Sequence, residues 1–517
     1  MIADFELEGF QSFGLRQELQ VKPLTLLFGP NSSGKSSLGR ALRFLKQSAS
    51  NPTGITFVGE QVNLTSFDNV VFRNDSVENI EIGLTMYPVK TWIREPRAQI
   101  SRANLRWTFS KEAGTLPESV SASVTFDLPD QTSDYVDLLF LLHDQTVQLN
   151  EFVFPDPKEN LISQVFRSSV LESWGVDEGD RRSLIGRNLV DVRDVSLAID
   201  GGDGSAKQIS IAESLAGVTP EMGPDQMRPG PTQNLLPRIP NTTQLPKGGV
   251  GRFLADLLGQ LGLALEQELS NIRYVGPLRE VVSGFMSEEG DVPELKSDGS
   301  NIQEHLLRID DAQFAEVSHG VQTLTDGAYQ LERKTLSKSE VVQARNLGSV
   351  LLKDQHSQTA VAFQDAGTGI AQVLPIVAAV VDATERNSAI QSERVRRRQS
   401  TGLLIIEQPE LHLHPEMQGR LADYLLEKSM TSVKKQESGP VILCETHSET
   451  FLLRVQRRLR EGRFGAGAAK AAFYFVDRLP GSDSSHVMSM EIDDDGEFRQ
   501  AWPVSFAGLR MEDLRGG

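Results

Sequence analysis

Eight consecutive residues, Gly29-Pro30-Asn31-Ser32-Ser33-Gly34-Lys35-Ser36, fit the spacing G-x-x-x-x-G-K-[ST], and Ser37 follows them. Glycines at the fixed positions let main-chain N–H groups curl around phosphate oxygens where a Cβ would clash. A helix expected to start near Ser36, with Leu38, Ala41, Leu42 and Leu45 on one face, turns its partly positive N-terminus to the same anion. Lys35 is then placed to reach β- and γ-phosphates, and the Ser36 hydroxyl to meet Mg2+. The apolar run 24–28 before the loop reads as a buried strand. Strand, loop and helix thus follow in the order that binding of ATP or GTP requires.

Two later strands end in polar groups suited to the same chemistry. Leu403-Leu404-Ile405-Ile406 is a buried-strand run that stops at Glu407, the position of a Mg2+-holding carboxylate in a P-loop fold. The text continues Gln408-Pro409-Glu410-Leu411-His412-Leu413-His414-Pro415. His412, His414 and Glu410 could be read as metal ligands, but a further ligand at fixed spacing is missing, and a loop packed on a neighbouring subunit accounts for them better. Val441-Ile442-Leu443-Cys444 leads into Glu445-Thr446-His447-Ser448. A lone histidine after a strand is commonly structural. The order of phosphate loop, acid strand and histidine strand favours placing His447 at a γ-phosphate or at attacking water.

On these residues the chain resembles ABC-type ATPases of the SMC-like and OLD-like group. More closely it resembles stand-alone bacterial ATPases that end in a small domain of unknown function, of the kind found in anti-phage defence modules. The likeness is carried by 29–36, by 407–415, by Glu445-Thr446-His447-Ser448-Glu449, and by a tail with Tyr474-Phe475-Val476, Ile492-Asp493-Asp494-Asp495-Gly496 and Trp502-Pro503. It implies an α/β P-loop NTPase fold: an ABC-type ATPase head with a mixed sheet, a β-rich lobe and a helical insertion. It implies ATP and Mg2+ as cofactors, Ser36 and Glu407 at the metal, and Lys35, Gln408 and His447 in catalysis. It also identifies Gln364-Asp365-Ala366-Gly367-Thr368-Gly369-Ile370-Ala371-Gln372 with the signature loop, whose Gly367, Thr368, Gly369 and Ala371 would cap a γ-phosphate held by the opposite subunit. The implied assembly is an ATP-dependent homodimer, or a higher oligomer built from dimers. The implied role is the sensor or scaffold of a defence or toxin-type module with a separate effector such as a nuclease.

Two departures from the family pattern point to slow turnover. The residue after the acid of the strand is usually a glutamate that activates water; here it is Gln408, whose amide can orient water but cannot accept its proton. Ala371 stands where a serine is common, so a hydroxyl contact is lost. An SMC-like DNA repair or maintenance ATPase and a non-hydrolysing ATP-bound subunit remain alternatives. A GTPase or kinase is disfavoured, because the chain lacks a guanine-binding N-K-x-D motif and a kinase catalytic loop.

The elements that must position these residues are read from periodicity. Alternating text over 55–155 predicts an antiparallel β region. Residues 217–250, rich in proline and glycine, predict a long linker. A helix is expected over 251–271, and short strands over 473–476, 486–492 and 497–502. The expected division is 1–155 as the N-terminal ATPase segment with its β lobe, 156–272 as an insertion, 273–470 as the C-terminal ATPase segment, and 471–517 as a small tail domain. About 70 residues follow His447, too few for a nuclease domain as well as that tail. Arg273 and Arg279 are expected to support the site or its lobe junction. Arg394, Arg396, Arg397 and Arg398, and Arg454, Arg457, Arg458, Arg460 and Arg463, are read as solvated faces or as a local positive patch for nucleic acid.

Composition narrows the setting. The 517 residues carry 52 Lys and Arg against 70 Asp and Glu, a net charge of −18, which argues against non-specific coating of nucleic acid. One cysteine, Cys444, forms no intrachain disulfide. The first residues are acidic where a signal peptide needs basic ones, and no apolar run approaches the roughly 20 residues of a membrane span. A cytoplasmic protein without membrane partners is expected.

Overall fold

The computed structural model describes residues 1–153, 197–209, 235–236, 250–335, 347–389, 402–430, 439–463 and 470–502, apart from 52–53, 74–78, 90, 94–97, 113–115, 128–132, 144–145, 202–204, 282–283, 366, 479–480 and 494. Its strands in chain order are β1 Ile2–Glu8, β2 Gln17–Gln20, β3 Leu24–Phe28, β4 Asn79–Met86, β5 Thr91–Ile93, β6 Ala98–Ser110, β7 Ser119–Asp127, β8 Ser133–His143, β9 Thr146–Val153, β10 Leu197–Gly201 and β11 Ser205–Ile209. They continue as β12 Arg273–Val275, β13 Met286–Ser287, β14 Tyr329–Thr335, β15 Leu347–Asp354, β16 Ala360–Val361, β17 Leu403–Glu407, β18 Val441–Glu445, β19 Ala471–Arg478 and β20 Ser485–Ser489. The contacts divide the chain into two units: 1–19 with 40–270, and 20–39 with 271–517.

The first unit is built on an antiparallel sheet in the order β2-β1-β4-β6-β7-β8-β9, with β5 added against β6. Period-two patterning makes one face apolar. Val120, Ala122, Val124 and Phe126 of β7 are buried, while Ser121, Ser123 and Thr125 alternate with them. Trp107 of β6 is wholly buried, and its indole N–H donates to the Leu235 carbonyl at 2.6 Å. The helix Val250–Ser270 buries Leu257, Leu258, Leu261, Leu265 and Leu269 at helical spacing. Its Gln260 accepts from the Thr91 hydroxyl at 2.6 Å, and its Glu268 meets the Met1 amino group at 2.8 Å. The expected insertion 156–272 therefore ends in a helix tied to the β lobe. Most of 156–249 lies outside the described residues.

The second unit carries a mixed sheet in the order β12-β17-β18-β3-β19-β20. Its first five strands run parallel and β20 is antiparallel to β19. All five residues of β3, β17 and β18 are buried, the continuous apolar text that a doubly covered parallel sheet needs. Its core continues through Val373, Leu374, Ile376, Val377 and Val380 of the helix Thr368–Ala389, and through Leu421, Leu425 and Phe451.

Two expectations need correction. Residues 471–478 do not open a separate tail domain: β19 pairs with β3 over Ala471–Phe475 against Leu24–Phe28, so a core strand of the sheet comes from the end of the chain. Residues 497–502 form no strand. An isolated bridge joins Ile492 to Phe498, and Phe498 instead packs its ring 6.0 Å from Phe28, 5.4 Å from Phe473 and 5.0 Å from Trp502. Burial of these rings outweighs ladder hydrogen bonding there. The stretch before Gln364 folds into the helices Ile302–Arg308 and Asp311–Leu324 and the hairpin of β14 and β15.

Candidate functional site

Because β3, β17 and β18 are parallel neighbours, their carboxyl ends open at one edge of the sheet, where α/β folds bind ligands. The loop 29–34 leaves that edge from β3 and turns into the helix Lys35–Ser50. Gly29 has φ +146°, and a Cβ on it would stand 2.1 Å from the Val476 carbonyl oxygen, so no other residue fits. Gly34 has φ +104° and Ser32 φ +61°; Asn31 and Ser32 are exposed, while Ser33 and Ser37 are buried. The Lys35 ammonium donates to the carbonyl of Pro30 at 2.6 Å, to that of Gly29 at 3.1 Å, and to the Ser33 hydroxyl at 3.4 Å. Burial lowers the Lys35 pKa, opposed by the charges of Glu445, Glu410 and Asp477.

Ser36 Oγ donates to Glu445, at 2.8 Å from Oε2 and 3.0 Å from Oε1. Glu445 ends β18 in direct register with Glu407 at the end of β17. Burial, reinforced by the charge of Glu407, pushes the Glu445 carboxyl up to about 7. Glu407 is buried too, and a Cβ on Gly39, one turn further along the helix from the loop, would lie 3.8 Å from its Oε1.

The turn after Glu407 is held at both sides. Gln408 sits at φ +46°, a left-handed conformation uncommon for a residue with a Cβ. Its N–H donates to the Glu445 carbonyl at 2.8 Å. The buried Arg279 guanidinium donates through Nη2 to the carbonyls of Glu407 at 2.7 Å and Gln408 at 3.1 Å. Its Nη1 reaches Gln372 Oε1 at 3.5 Å, and the Gln372 amide donates back to the Arg279 carbonyl at 3.0 Å. Burial lowers Arg279 to about 10, still charged at neutral pH. Glu410 turns its carboxylate to the segment after β18, accepting from the Thr446 hydroxyl at 2.9 Å and the His447 N–H at 2.7 Å. Burial raises its pKa. His447 is pushed down to about 4 by burial and then by Lys35, against a hydrogen bond with the Gly29 main chain, so its imidazole is neutral at pH 7.

The residues expected to form a signature loop lie elsewhere in the same unit. Thr368 is the first residue of the helix Thr368–Ala389. Gly367 before it is exposed at φ +78°, with open space where a Cβ would stand. Gly369 faces the loop after β17, 3.7 Å from Met417 Sδ and 3.8 Å from Leu413 as measured from a Cβ position. Ala371 is half-buried and Ala366 lies outside the described residues. Among the described residues, no hydrogen bond joins Gly367, Gly369 or Ala371 to the phosphate loop.

Other candidates resolve as follows. Arg454 and Arg458 both grip Asp423, at 2.8 and 2.7 Å, Arg457 and Arg458 meet Glu461, and Arg460 meets Glu497, so this cluster is an ion-pair network. Arg394, Arg396, Arg397 and Arg398 lie outside the described residues. Arg273 is buried and pairs with Glu294 at 3.1 Å. His414 Nδ1 accepts from the Glu416 N–H at 3.4 Å, and His412 has φ +62°. Glu445 was missed as a site residue from the sequence. The signal was present, since Val-Ile-Leu-Cys-Glu repeats the pattern of Leu-Leu-Ile-Ile-Glu.

The residues present fit a triphosphate with Mg2+. A glycine that tolerates no Cβ, a buried lysine, a hydroxyl at the helix start and two buried carboxylates form the donor and acceptor set of such a site.

Residues 277–452 match a family model described as "AAA ATPase domain". Residues 24–177 match one described as "AAA domain, putative AbiEii toxin, Type IV TA system". No curated protein matches the chain. Similar solved structures include an SMC head bound to the C-terminal winged-helix domain of ScpA, at 11% identity and TM-score 0.39, covering 95% of this chain and 98% of that one. The SMC head domain of Thermotoga maritima shows 9% identity and TM-score 0.35, with 95% and 99% covered. An SMC head with an extended coiled coil, bound to ScpA, from Pyrococcus furiosus shows 12% identity and TM-score 0.39, with 99% of each covered. The two matched stretches are AAA-type ATPase domains, and together with the sheet and loop described above they give an α/β P-loop ATPase fold. No helix among the described residues is long and apolar enough to cross a membrane.

Proposed function

We propose that this ATPase binds ATP with Mg2+, closes head to head on a second copy around the shared nucleotides, and hydrolyses them slowly. The observation that carries the reading is the division of the site within one copy. Lys35 and Ser36 make their polar contacts with their own loop and with Glu445, whereas the exposed Gly367 and the helix start behind it take no part. A helix of 22 residues with a glycine-rich, exposed start presents unpaired N–H donors to an anion brought by another molecule.

Each residue then has a role in phosphoryl transfer. Lys35 and the loop amides would hold the phosphates, and Ser36 with Glu407 would hold the metal ion. Mg2+ supplies neutralisation of charge on the phosphate oxygens. Gln408 orients water through its amide, and neutral His447 is available to hydrogen-bond at the γ-phosphate or the water. No carboxylate follows Glu407, which supports slow turnover and a timer or clamp rather than a motor.

The biological role that fits best is the sensor or scaffold subunit of a bacterial anti-phage or toxin-type system with a separate effector protein such as a nuclease. It is supported by the toxin-system family matched over 24–177. A nucleic-acid partner is not favoured at the helix Glu449–Arg460, whose arginines are paired with Asp423, Glu461 and Glu497. Mass photometry with ATP and Mg2+, alongside phosphate release, tests the proposal. The wild type is expected to dimerise and release phosphate, and Lys35→Ala to do neither. Wild-type protomers that hydrolyse ATP while remaining solitary would overturn it.

A further inference from the structure

The carboxylate that meets the Ser36 hydroxyl is not the one that the strand pattern nominates. Glu407 and Glu445 end adjacent strands in register, yet Ser36 donates to Glu445 through both of its oxygens, at 2.8 and 3.0 Å. A serine hydroxyl has one proton and two lone pairs. With the proton engaged by Glu445, both lone pairs are free to meet a cation. Glu407 reaches instead toward Gly39, further along the helix.

Charge makes the same point. Glu445 is 6% exposed and Glu407 7%. Two buried carboxylates side by side disfavour each other's ionised forms unless a cation joins them. Lys35 donates to Gly29, Pro30 and Ser33, and Arg279 donates to main-chain carbonyls and Gln372 while its Nε stays without a hydrogen-bond partner, so neither bonds a carboxylate of the pair. Among the described residues no lysine or arginine forms an ion pair with Glu445. Lys35 acts on Glu445 only through space, and a divalent cation next to Ser36 would place a positive charge directly between the two carboxylates.

We propose that Glu445 is the carboxylate that orients Ser36 toward the Mg2+ of the bound nucleotide and neutralises that ion, with Glu407 as the second acid of the pair. The inference rests on the reading of 29–36 as an ATP site. Glu445 is a positioning residue acting through Ser36. Its main-chain oxygen also receives the Gln408 N–H, so the end of β18 holds both the metal side and the water side of the site.

The test uses Mn2+ as the probe, titrated with the full chain and saturating ATP and read by electron paramagnetic resonance. Binding of a fluorescent ATP analogue in EDTA runs beside it. Glu445→Gln is expected to weaken Mn2+ by about 10–100-fold, the usual effect of losing a residue that orients a metal ligand, while nucleotide affinity in EDTA stays within about twofold of wild type. Adding Ser36→Ala to Glu445→Gln should weaken Mn2+ little further, because both act through one hydroxyl. If Glu445→Gln fails to fold, Glu445→Asp retains the charge but withdraws it by one methylene, and a drop of about tenfold or more is expected. Mn2+ affinity unchanged in a folded Glu445 variant, with Glu407→Gln alone losing it, overturns the proposal. A wild type that binds no nucleotide in EDTA or with metal refutes the ATP reading itself, and this inference with it.

Discussion

Removal of Arg279 should loosen two distant pieces of sequence together. Its side chain is 4% exposed, and it bonds the carbonyls of Glu407 and Gln408 at 2.7 and 3.1 Å. Hydrogen bonds from a charged group contribute about 1.5–3 kcal/mol each, and carbonyls left buried without a donor cost a similar amount. Arg279→Ala should therefore cost about 3–5 kcal/mol locally, a large part of the roughly 5–15 kcal/mol that holds a domain folded. Gln408 adds to this, because its left-handed conformation costs about 1–2 kcal/mol and needs its surroundings to hold it. Gln372 loses a partner as well, which reaches the first turns of the helix Thr368–Ala389. Hydrogen exchange followed by mass spectrometry reads this without assuming that the two units unfold together. At 1.4 kcal/mol per decade, amides over 403–412 should lose at least about a hundredfold in protection, with a smaller loss over 368–376. Arg279→Lys, a single point donor for two carbonyls, should recover only part of it. The rate of ATP hydrolysis should fall at least about tenfold while nucleotide affinity in EDTA is kept. Unchanged exchange over 403–412 in Arg279→Ala would refute the role given to this guanidinium.

Two further outcomes follow from local geometry. Gly29→Ala places a methyl 2.1 Å from the Val476 oxygen at a φ of +146°, and should cost about 3 kcal/mol or more and abolish ATP binding; Gly367→Ala meets open space at φ +78° and should cost only about 1 kcal/mol. Equal melting temperatures for the two variants would refute this contrast. Burial raises the Asp423 carboxyl, but hydrogen bonds from Arg458 and Arg454 outweigh it and hold the pKa below its ordinary 3.8. Its stabilisation is present above that ordinary value and is lost as pH falls through the folded one. Asp423→Asn should cost about 1–3 kcal/mol near pH 7 by chemical denaturation, with the gap to wild type shrinking in acid below about pH 4; a gap that stays constant to pH 3 would be inconsistent with the network.

The strands β3, β17 and β18 were legible because each is a short apolar run with a clear end, a glycine turn after β3 and a glutamate closing β17 and β18. Such runs announce burial on both faces, and burial on both faces is what a parallel sheet with helices around it imposes. Their order across the sheet was not legible. Nothing local says that β18 lies between β17 and β3, and it is this placement that carries Glu445 to Ser36. The same limit hid β19, which pairs with β3 from more than 400 residues away in sequence. Between 280 and 360 the signal was weaker but real: Asp310 and Gln313 form a capping box at the start of the helix Asp311–Leu324, a spacing that the sequence displays. Arg279 could be read only as a basic residue near a family-like stretch. Its function depends on carbonyls 128 and 129 positions later, and main-chain oxygens leave no trace in residue type.

The amide at position 408 makes sense once the neighbouring charges are counted. Glu407 and Glu445 are buried and Glu410 half-buried at or beside the carboxyl ends of β17 and β18, and desolvation already raises the pKa of Glu445 and that of Glu410. A fourth carboxylate in the same turn would meet three like charges, with one lysine and one arginine nearby whose hydrogen bonds go to main-chain oxygens, Ser33 and Gln372 rather than to a carboxylate. Each added charge in such a site either goes protonated or requires a cation. A neutral glutamine adds a donor and an acceptor without that penalty, and its N–H and carbonyl are already the joints that tie β18 and Arg279 to the turn. The chemistry given up is a proton acceptor for water. What is kept is a turn tied by hydrogen bonds to the end of β18 and, through Arg279 and Gln372, to the helix that starts at Thr368, so that under the proposed function one small set of hydrogen bonds would link nucleotide, metal and helix start.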